Sequence, residues 1–123
     1  MKMNILIVDD DPLYIDLVHD VVTQFGHSTF GAEDGAHALE ILRTNDVHLI
    51  ISDIEMPVMG GIALYARVRA LAGHGQTPFV FISGTTRTEL LEAVSALPDA
   101  RLIRKAQLVA QLPALLEELG GQA

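Results

Sequence analysis

Five short apolar runs, each followed by a stretch of helical periodicity, constrain this chain more than any other feature. The runs are Asn4–Val8, 28–30, 49–52, Phe79–Ser83 and 102–103, the second weak and the last short. Four of them are continuous rather than alternating, as in strands buried on both faces of a parallel sheet. Between the first two runs, Tyr14, Leu17, Val18, Val21, Val22 and Phe25 recur with helical spacing, and Asp16, His19, Asp20 and Thr23 fall opposite. This predicts an amphipathic helix with Asp11 as N-cap, Pro12 as first residue and Gly26 just past its end. Further helices are predicted over 36–42, 62–71, 88–97 and 108–119, with Thr86 and Thr88 as candidate caps for the fourth. In the last, Leu108, Leu112, Leu115, Leu116 and Leu119 are in phase, and Pro113 either falls in the first turn or bends the helix. Such alternation predicts an α/β fold on a parallel sheet with right-handed crossovers.

At 123 residues the chain fits one domain, with 1–119 as its ordered core and 120–123 as a tail. Half of the residues are apolar and 20% are charged, so disorder is excluded. Eight Lys+Arg stand against 16 Asp+Glu, and a net charge of −8 argues against direct binding of nucleic acid. Cysteine is absent, which removes disulfides, thiolate metal sites and thiol nucleophiles. No apolar run approaches the roughly 18 residues of a membrane span, and nothing resembles a signal peptide. The expectation is a soluble, cytoplasmic, acidic domain.

In parallel sheets of this kind, ligands bind beyond the carboxyl ends of the strands. After the first strand stand Asp9, Asp10 and Asp11; after the third, Asp53; after the fourth, Ser83; after the fifth, Lys105. If the strands are parallel, these side chains converge on one rim. Clustered carboxylates are unfavourable unless a proton or cation is shared among them. Hard oxygen donors with an open shell suit Mg²⁺, which bridges carboxylates to phosphate oxygens. With Lys105 to hold a phosphate oxygen and Ser83 to donate a hydrogen bond, the set suits phosphoryl transfer. Helix capping explains Asp11 but leaves Asp9 and Asp10 over.

The stretches Ile5-Leu6-Ile7-Val8-Asp9-Asp10-Asp11 and Leu49-Ile50-Ile51-Ser52-Asp53-Ile54-Glu55-Met56-Pro57-Val58-Met59-Gly60-Gly61 resemble a response-regulator receiver domain over essentially the whole chain. The resemblance implies a flavodoxin-like, doubly wound, five-stranded parallel sheet in order 2-1-3-4-5 with five flanking helices. It implies that Asp53 is the phosphoacceptor for a histidine kinase or phosphotransfer protein. Asp10 would bind Mg²⁺ or Mn²⁺ directly, Asp9 largely through water, with Asp53 and the backbone carbonyl of Glu55 as further ligands. Ser83 and Lys105 would contact the phosphoryl group, and Glu55 and Thr85 would tune its hydrolysis. Ser83 and Leu102 occupy the switch positions, and the fourth helix, fifth strand and fifth helix would form the partner or homodimer face.

Three positions depart from the family pattern. Leu102 stands for an aromatic residue, Ala106 for the proline after the lysine, and Gly60-Gly61 for Asp-Gly. A trans Lys105–Ala106 peptide is therefore expected, because a cis bond there costs roughly 2.5–4 kcal/mol. The signal is expected to run through the 84–86 loop and the fourth helix rather than through Leu102. The function implied is a phosphoaspartate switch rather than a turnover enzyme. Its rivals are a phosphorylation-independent interaction module and a Mg²⁺-dependent phosphohydrolase, the latter opposed by length and by Leu13. An FMN carrier shares the topology but is opposed by the acidic first loop. The five histidines, His19, His27, His37, His48 and His74, read mostly as surface residues. Met56 and Met59 read as loop packing.

Overall fold

The computed structural model describes residues 2–120. The elements are β1 (Asn4–Val8), α1 (Pro12–Gln24), β2 (Ser28–Ala32), α2 (Gly35–Thr44), β3 (Leu49–Asp53), α3 (Gly61–Arg69), β4 (Phe79–Ser83), α4 (Thr88–Ser95), β5 (Ala100–Arg104) and α5 (Lys105–Gly120). The strands form one parallel sheet in the order β2-β1-β3-β4-β5.

Side-chain parity explains the layers, because successive residues of a strand face opposite sides of the sheet. Leu6, Val8, Ile50, Phe79 and Phe81 turn to one face, where Leu39 and Leu42 of α2, Leu64 and Val68 of α3 and Val94 of α4 cover them. Ile5, Ile7, Leu49, Ile51, Val80 and Ile82 turn to the other, against Val18 and Val22 of α1 and Leu108, Leu112, Leu115 and Leu116 of α5. Both faces are dry, so continuous apolar runs suit these strands and alternating ones do not. Each fully buried aliphatic side chain contributes about 1.5–3 kcal/mol.

Several local expectations change. β2 runs on through Gly31, where an added Cβ would come within 2.9 Å of the Ile15 side chain, so the helix packs where the apolar pattern stops. β5 is longer than its apolar pair because it is an edge strand, with one partner and much exposed surface. On α1 the buried stripe is Val18 and Val22 with Tyr14, Ile15 and Val21 beside it. Leu17 and Phe25 are about half exposed, although their spacing puts them on the apolar arc. α5 begins at Lys105, so Pro113 is its ninth residue and not in the first turn. Pro113 is exposed, on a side where water can serve the carbonyl it leaves without an intrahelical donor. Gly120, expected in the tail, is buried at the end of α5, and 121–123 lie outside the described residues. Arg87, not Thr86 or Thr88, is the N-cap of α4 and makes no side-chain cap bond.

Three of the five histidines are ties rather than surface residues. His27 Nδ1 accepts from Met3 N and His48 Nδ1 accepts from Asn4 N, each at 2.9 Å. His74 is buried; its Nε2–H donates to the Leu42 carbonyl at 3.2 Å, leaving Nδ1 to accept from the Thr77 hydroxyl. His27 and His48 thus fasten the start of β1 to neighbouring loops, and His74 fastens the loop before β4 to the end of α2.

The β3–α3 connection sets where Asp53 stands. Gly61 N donates to the Ile54 carbonyl at 2.7 Å, and an added Cβ on Gly61 would lie 2.1 Å from the Asp53 backbone oxygen. No side chain fits without moving that strand end. Gly61→Ala is expected to cost about 1–3 kcal/mol, the usual penalty of overpacking. Urea denaturation with an unchanged midpoint would show that the loop yields freely.

Candidate functional site

The sheet register delivers the polar residues to one rim. Val8 pairs with Ala32 and Ser52, Asp53 with Ile82, and Ser83 with Arg104. Asp9 and Asp53 therefore emerge side by side, Ser83 one strand position further on and Lys105 two. Asp9 is fully buried, Asp53 and Ser83 nearly so, and Asp10 is exposed. One carboxylate oxygen from each of Asp9, Asp10 and Asp53 lies within 4.8 Å of the others, the one such grouping of acidic or histidine donors among the described residues.

Lys105 Nζ sits 2.7 Å from Asp9 Oδ2 and 3.1 Å from Asp53 Oδ2. The second contact is a hydrogen bond; the first is an ion pair without hydrogen-bond alignment, and Asp9 Oδ2 has no hydrogen-bond donor. Asp9 Oδ1 accepts from Asp11 N at 2.9 Å, which fixes the carboxylate, and Asp11 itself caps α1 through Leu13 N. Burial raises the Asp53 pKa, and the Asp9 charge adds to it; Lys105 and the Glu55 backbone N–H oppose without prevailing. On Lys105, burial works to lower the pKa and is outweighed by Asp9 and Asp53, so the ammonium titrates above its ordinary range. One ammonium does not neutralise three carboxylates. The remaining negative charge and the hard-oxygen donor set fit a divalent cation such as Mg²⁺.

Ser83 Oγ accepts from Thr85 N at 3.0 Å, so its own proton is free to donate toward the rim. Thr85 Oγ1 in turn accepts from Arg87 N at 3.1 Å. Glu55 is exposed and paired through Arg87 Nη1 at 3.4 Å, while Arg87 Nε holds Glu89 at 3.0 Å. Leu102 is not brought to the acidic group. It is 38% exposed and lines a groove with Arg101, Ile103, Ala110, Gln111, Ala114 and Glu118. No cis peptide occurs among the described residues, so Lys105–Ala106 is trans as expected.

Two participants were not singled out in the sequence. Arg87 ties the β3–α3 loop to the start of α4. Tyr14 reaches the rim from α1: its hydroxyl donates to the Lys105 carbonyl at 3.1 Å, and its ring centroid lies 4.7 Å from Lys105 Nζ. Burial pushes the Tyr14 hydroxyl up to about 12. A third feature is conformational. Val58, fully exposed in the β3–α3 loop, has φ 68°, a left-handed backbone that β-branched residues rarely adopt.

The sequence matches the family described as the response regulator receiver domain over residues 5–117. The chain belongs to that family. This receiver domain is 28% identical over 121 residues to the probable chemotaxis protein CheY of Rhizobium etli, covering 98% of this chain and 94% of that protein. It is 37% identical over 98 residues to the autoinducer 1 sensor kinase/phosphatase LuxN of Vibrio campbellii. That match covers 80% of this chain but only 11% of the length of the kinase. Among solved structures, chemotaxis protein CheY4 of Vibrio cholerae superposes with a TM-score of 0.86 at 25% identity, over 97% of this receiver and 99% of that chain. The receiver is thus a module of two-component signalling, and its strand order and helices agree with that fold.

The raised pKa of Asp53 has a consequence for stability. The folded receiver holds the Asp53 proton more tightly than the unfolded chain, so ionisation of this group costs stability above its folded pKa. The cost disappears as pH falls below the unfolded value near 3.8. Asp53→Asn is therefore expected to melt higher than the parent at pH 7 in the presence of a metal chelator, and the difference is expected to shrink toward pH 4. Thermal denaturation at the two pH values checks this; a lower melting temperature for the variant at pH 7 contradicts it.

Proposed function

We propose that this receiver is a phosphoaspartate switch in which Asp53 takes a phosphoryl group from the phosphohistidine of a histidine kinase or phosphotransfer protein. The observation that carries the reading is the meeting of Asp9, Asp10 and Asp53 with the Lys105 ammonium at the carboxyl ends of the strands. In the transfer, an Asp53 oxygen forms a bond to phosphorus, and the bond from phosphorus to the donor nitrogen breaks. Asp9, Asp10, Asp53 and the Glu55 backbone carbonyl would hold Mg²⁺ or Mn²⁺. When bound, the cation supplies positive charge against the phosphoryl oxygens. Lys105 supplies a further positive charge, partly buried and hydrogen-bonded to Asp53. Ser83 donates its free hydroxyl proton to the group once it is in place. Glu55 and Thr85 border the site and set how readily water returns the carboxylate.

A nucleophile at Asp9, as a phosphohydrolase would use, is disfavoured. That carboxylate is fully buried and fixed by Asp11 N and Lys105. The reading treats 1–123 as one receiver unit acting in the cytoplasm, a switch rather than a turnover enzyme. It gives the face of α4, β5 and α5 to an effector or a second copy; Leu102 and Val109 are exposed there. No described helix is long and apolar enough to cross a membrane.

Incubation with acetyl phosphate and Mg²⁺ is expected to add one phosphoryl group to the parent and none to Asp53→Asn, as read by intact mass. A chelator is expected to stop the reaction, and saturating Mg²⁺ to stabilise the fold by about 1–3 kcal/mol through linkage. Uptake by the Asn variant at the parent rate would assign the acceptor elsewhere. Uptake by neither protein, with no effect of Mg²⁺ on melting, would favour a phosphorylation-independent interaction module.

The switch is expected to run through Ser83 and the 84–86 loop, which would meet the phosphoryl group, and on along the hydrogen bonds to Arg87 into α4. Beryllofluoride is expected to shift amide resonances most in that loop and least at Leu102, as mapped by two-dimensional NMR. The reverse ranking would restore a readout through β5.

A further inference from the structure

We propose that Tyr14 is a positioning residue for Lys105, holding the ammonium in the acidic site through both its hydroxyl and its ring. The inference rests on the phosphoacceptor reading above and names a residue that reading does not use. Tyr14 is the third residue of α1, and helical side chains lean toward the N-terminus, so its ring is carried up to the rim of the sheet. There it touches Lys105 at two separate places. The hydroxyl donates to the backbone carbonyl at 3.1 Å, and the ring centroid stands 4.7 Å from Nζ. The first contact fixes the backbone where β5 passes into α5. The second covers one side of the ammonium, whose other neighbours are Asp9 Oδ2 at 2.7 Å and Asp53 Oδ2 at 3.1 Å.

Lysine is a flexible side chain with a strongly hydrated head, and left alone it trades an ion pair for water readily. A ring face within about 6 Å attracts the cation and excludes water from that side. The backbone here has no other covalent restraint, because Ala106 rather than a cyclic residue follows Lys105. Tyr14 is itself only partly buried and packs beside Val18 and Val22 on the α1 side of the sheet. Its placement is therefore set by the core, and the placement of Lys105 is set by Tyr14.

The experiment compares the parent with Tyr14→Phe, which keeps the ring, Tyr14→Leu, which removes both contacts, Lys105→Ala, and Tyr14→Leu combined with Lys105→Ala. Beryllofluoride affinity in saturating Mg²⁺, Mg²⁺ affinity alone, and the melting temperature are measured for each. Tyr14→Leu is expected to weaken beryllofluoride binding about five- to tenfold, and Tyr14→Phe to retain most of the affinity. Mg²⁺ affinity is expected to hold or rise, since the competing ammonium is loosened. In the Lys105→Ala background the Tyr14 substitution is expected to have no further effect on beryllofluoride. Parent-like affinity in folded Tyr14→Leu overturns the proposal. So does an equal loss in the presence and absence of Lys105, or a parallel loss of Mg²⁺ and beryllofluoride affinity, which marks a general structural role. If Tyr14→Leu does not fold, an unaltered affinity in both Tyr14→Phe and Tyr14→Met overturns it as well. A parent protein that binds no beryllofluoride and accepts no phosphoryl group overturns the phosphoacceptor reading itself, and this inference with it.

Discussion

The ammonium of Lys105 lies between two buried carboxylates, and the carboxyl end of the sheet is organised around that contact. Asp9 and Asp53 are brought together by the pairing of β1 with β3, which gives them no freedom to separate. Two such charges in a dry place repel, and hydrogen bonds from neighbouring backbone only partly compensate. Lys105 relieves the repulsion because β5, two strands away from β3, ends at the same rim. The relief is incomplete: burial first, and the Asp9 charge after it, raise the Asp53 pKa against the pull of Lys105. An acidic site left short of positive charge has room in its electrostatics for a divalent cation and, behind that, for an anion. The same imbalance that costs folding free energy is what makes the site receptive.

Much of this was readable in the sequence. The runs around Leu6, Ile50 and Phe81 have no polar alternation, and that alone requires a sheet covered on both faces. Once the strands are parallel, Asp9, Asp53, Ser83 and Lys105 must share an end, because each directly follows or closes a strand. What escaped the reading depends on rotation and reach. Leu17 has the same spacing as Val18 within the α1 pattern, and only the angle at which α1 meets the sheet decides that Val18 is buried and Leu17 half exposed. Tyr14 looked like core because its ring is apolar; its hydroxyl and its place in the first turn of α1 were the available signals. Arg87 bridges loops that are 32 residues apart, a separation that no local pattern encodes. His27, His48 and His74 follow the same rule: each meets a backbone group from a distant segment, Met3, Asn4 or Leu42.

Two of the three departures from the family pattern, Leu102 and Ala106, fall on β5 and at the start of α5, while Gly60-Gly61 stands where the chain enters α3. The side chains proposed for phosphoryl chemistry, Asp9, Asp10, Asp53, Ser83 and Lys105, are unchanged by them, although Lys105 stands between Leu102 and Ala106. The hydrogen bonds from Ser83 through Thr85 to Arg87, with the ion pair on to Glu55, run along the β3 and β4 loops and do not touch Leu102. A receiver built this way can lose the aromatic residue of β5 while retaining a physical connection from its acidic site to α4.

The exposed strand β5 bears on how these molecules meet one another. It closes the sheet with a strand on one side only, and such an edge offers unpaired N–H and C=O groups to any passing chain. Here the edge carries exposed Arg101 and Arg104, the first held to Glu118 of α5. Edge-to-edge growth between copies would press guanidinium against guanidinium, in a protein whose net charge of −8 already keeps copies apart. The exposed arginines guard this edge of the sheet against pairing with the same edge of a second copy.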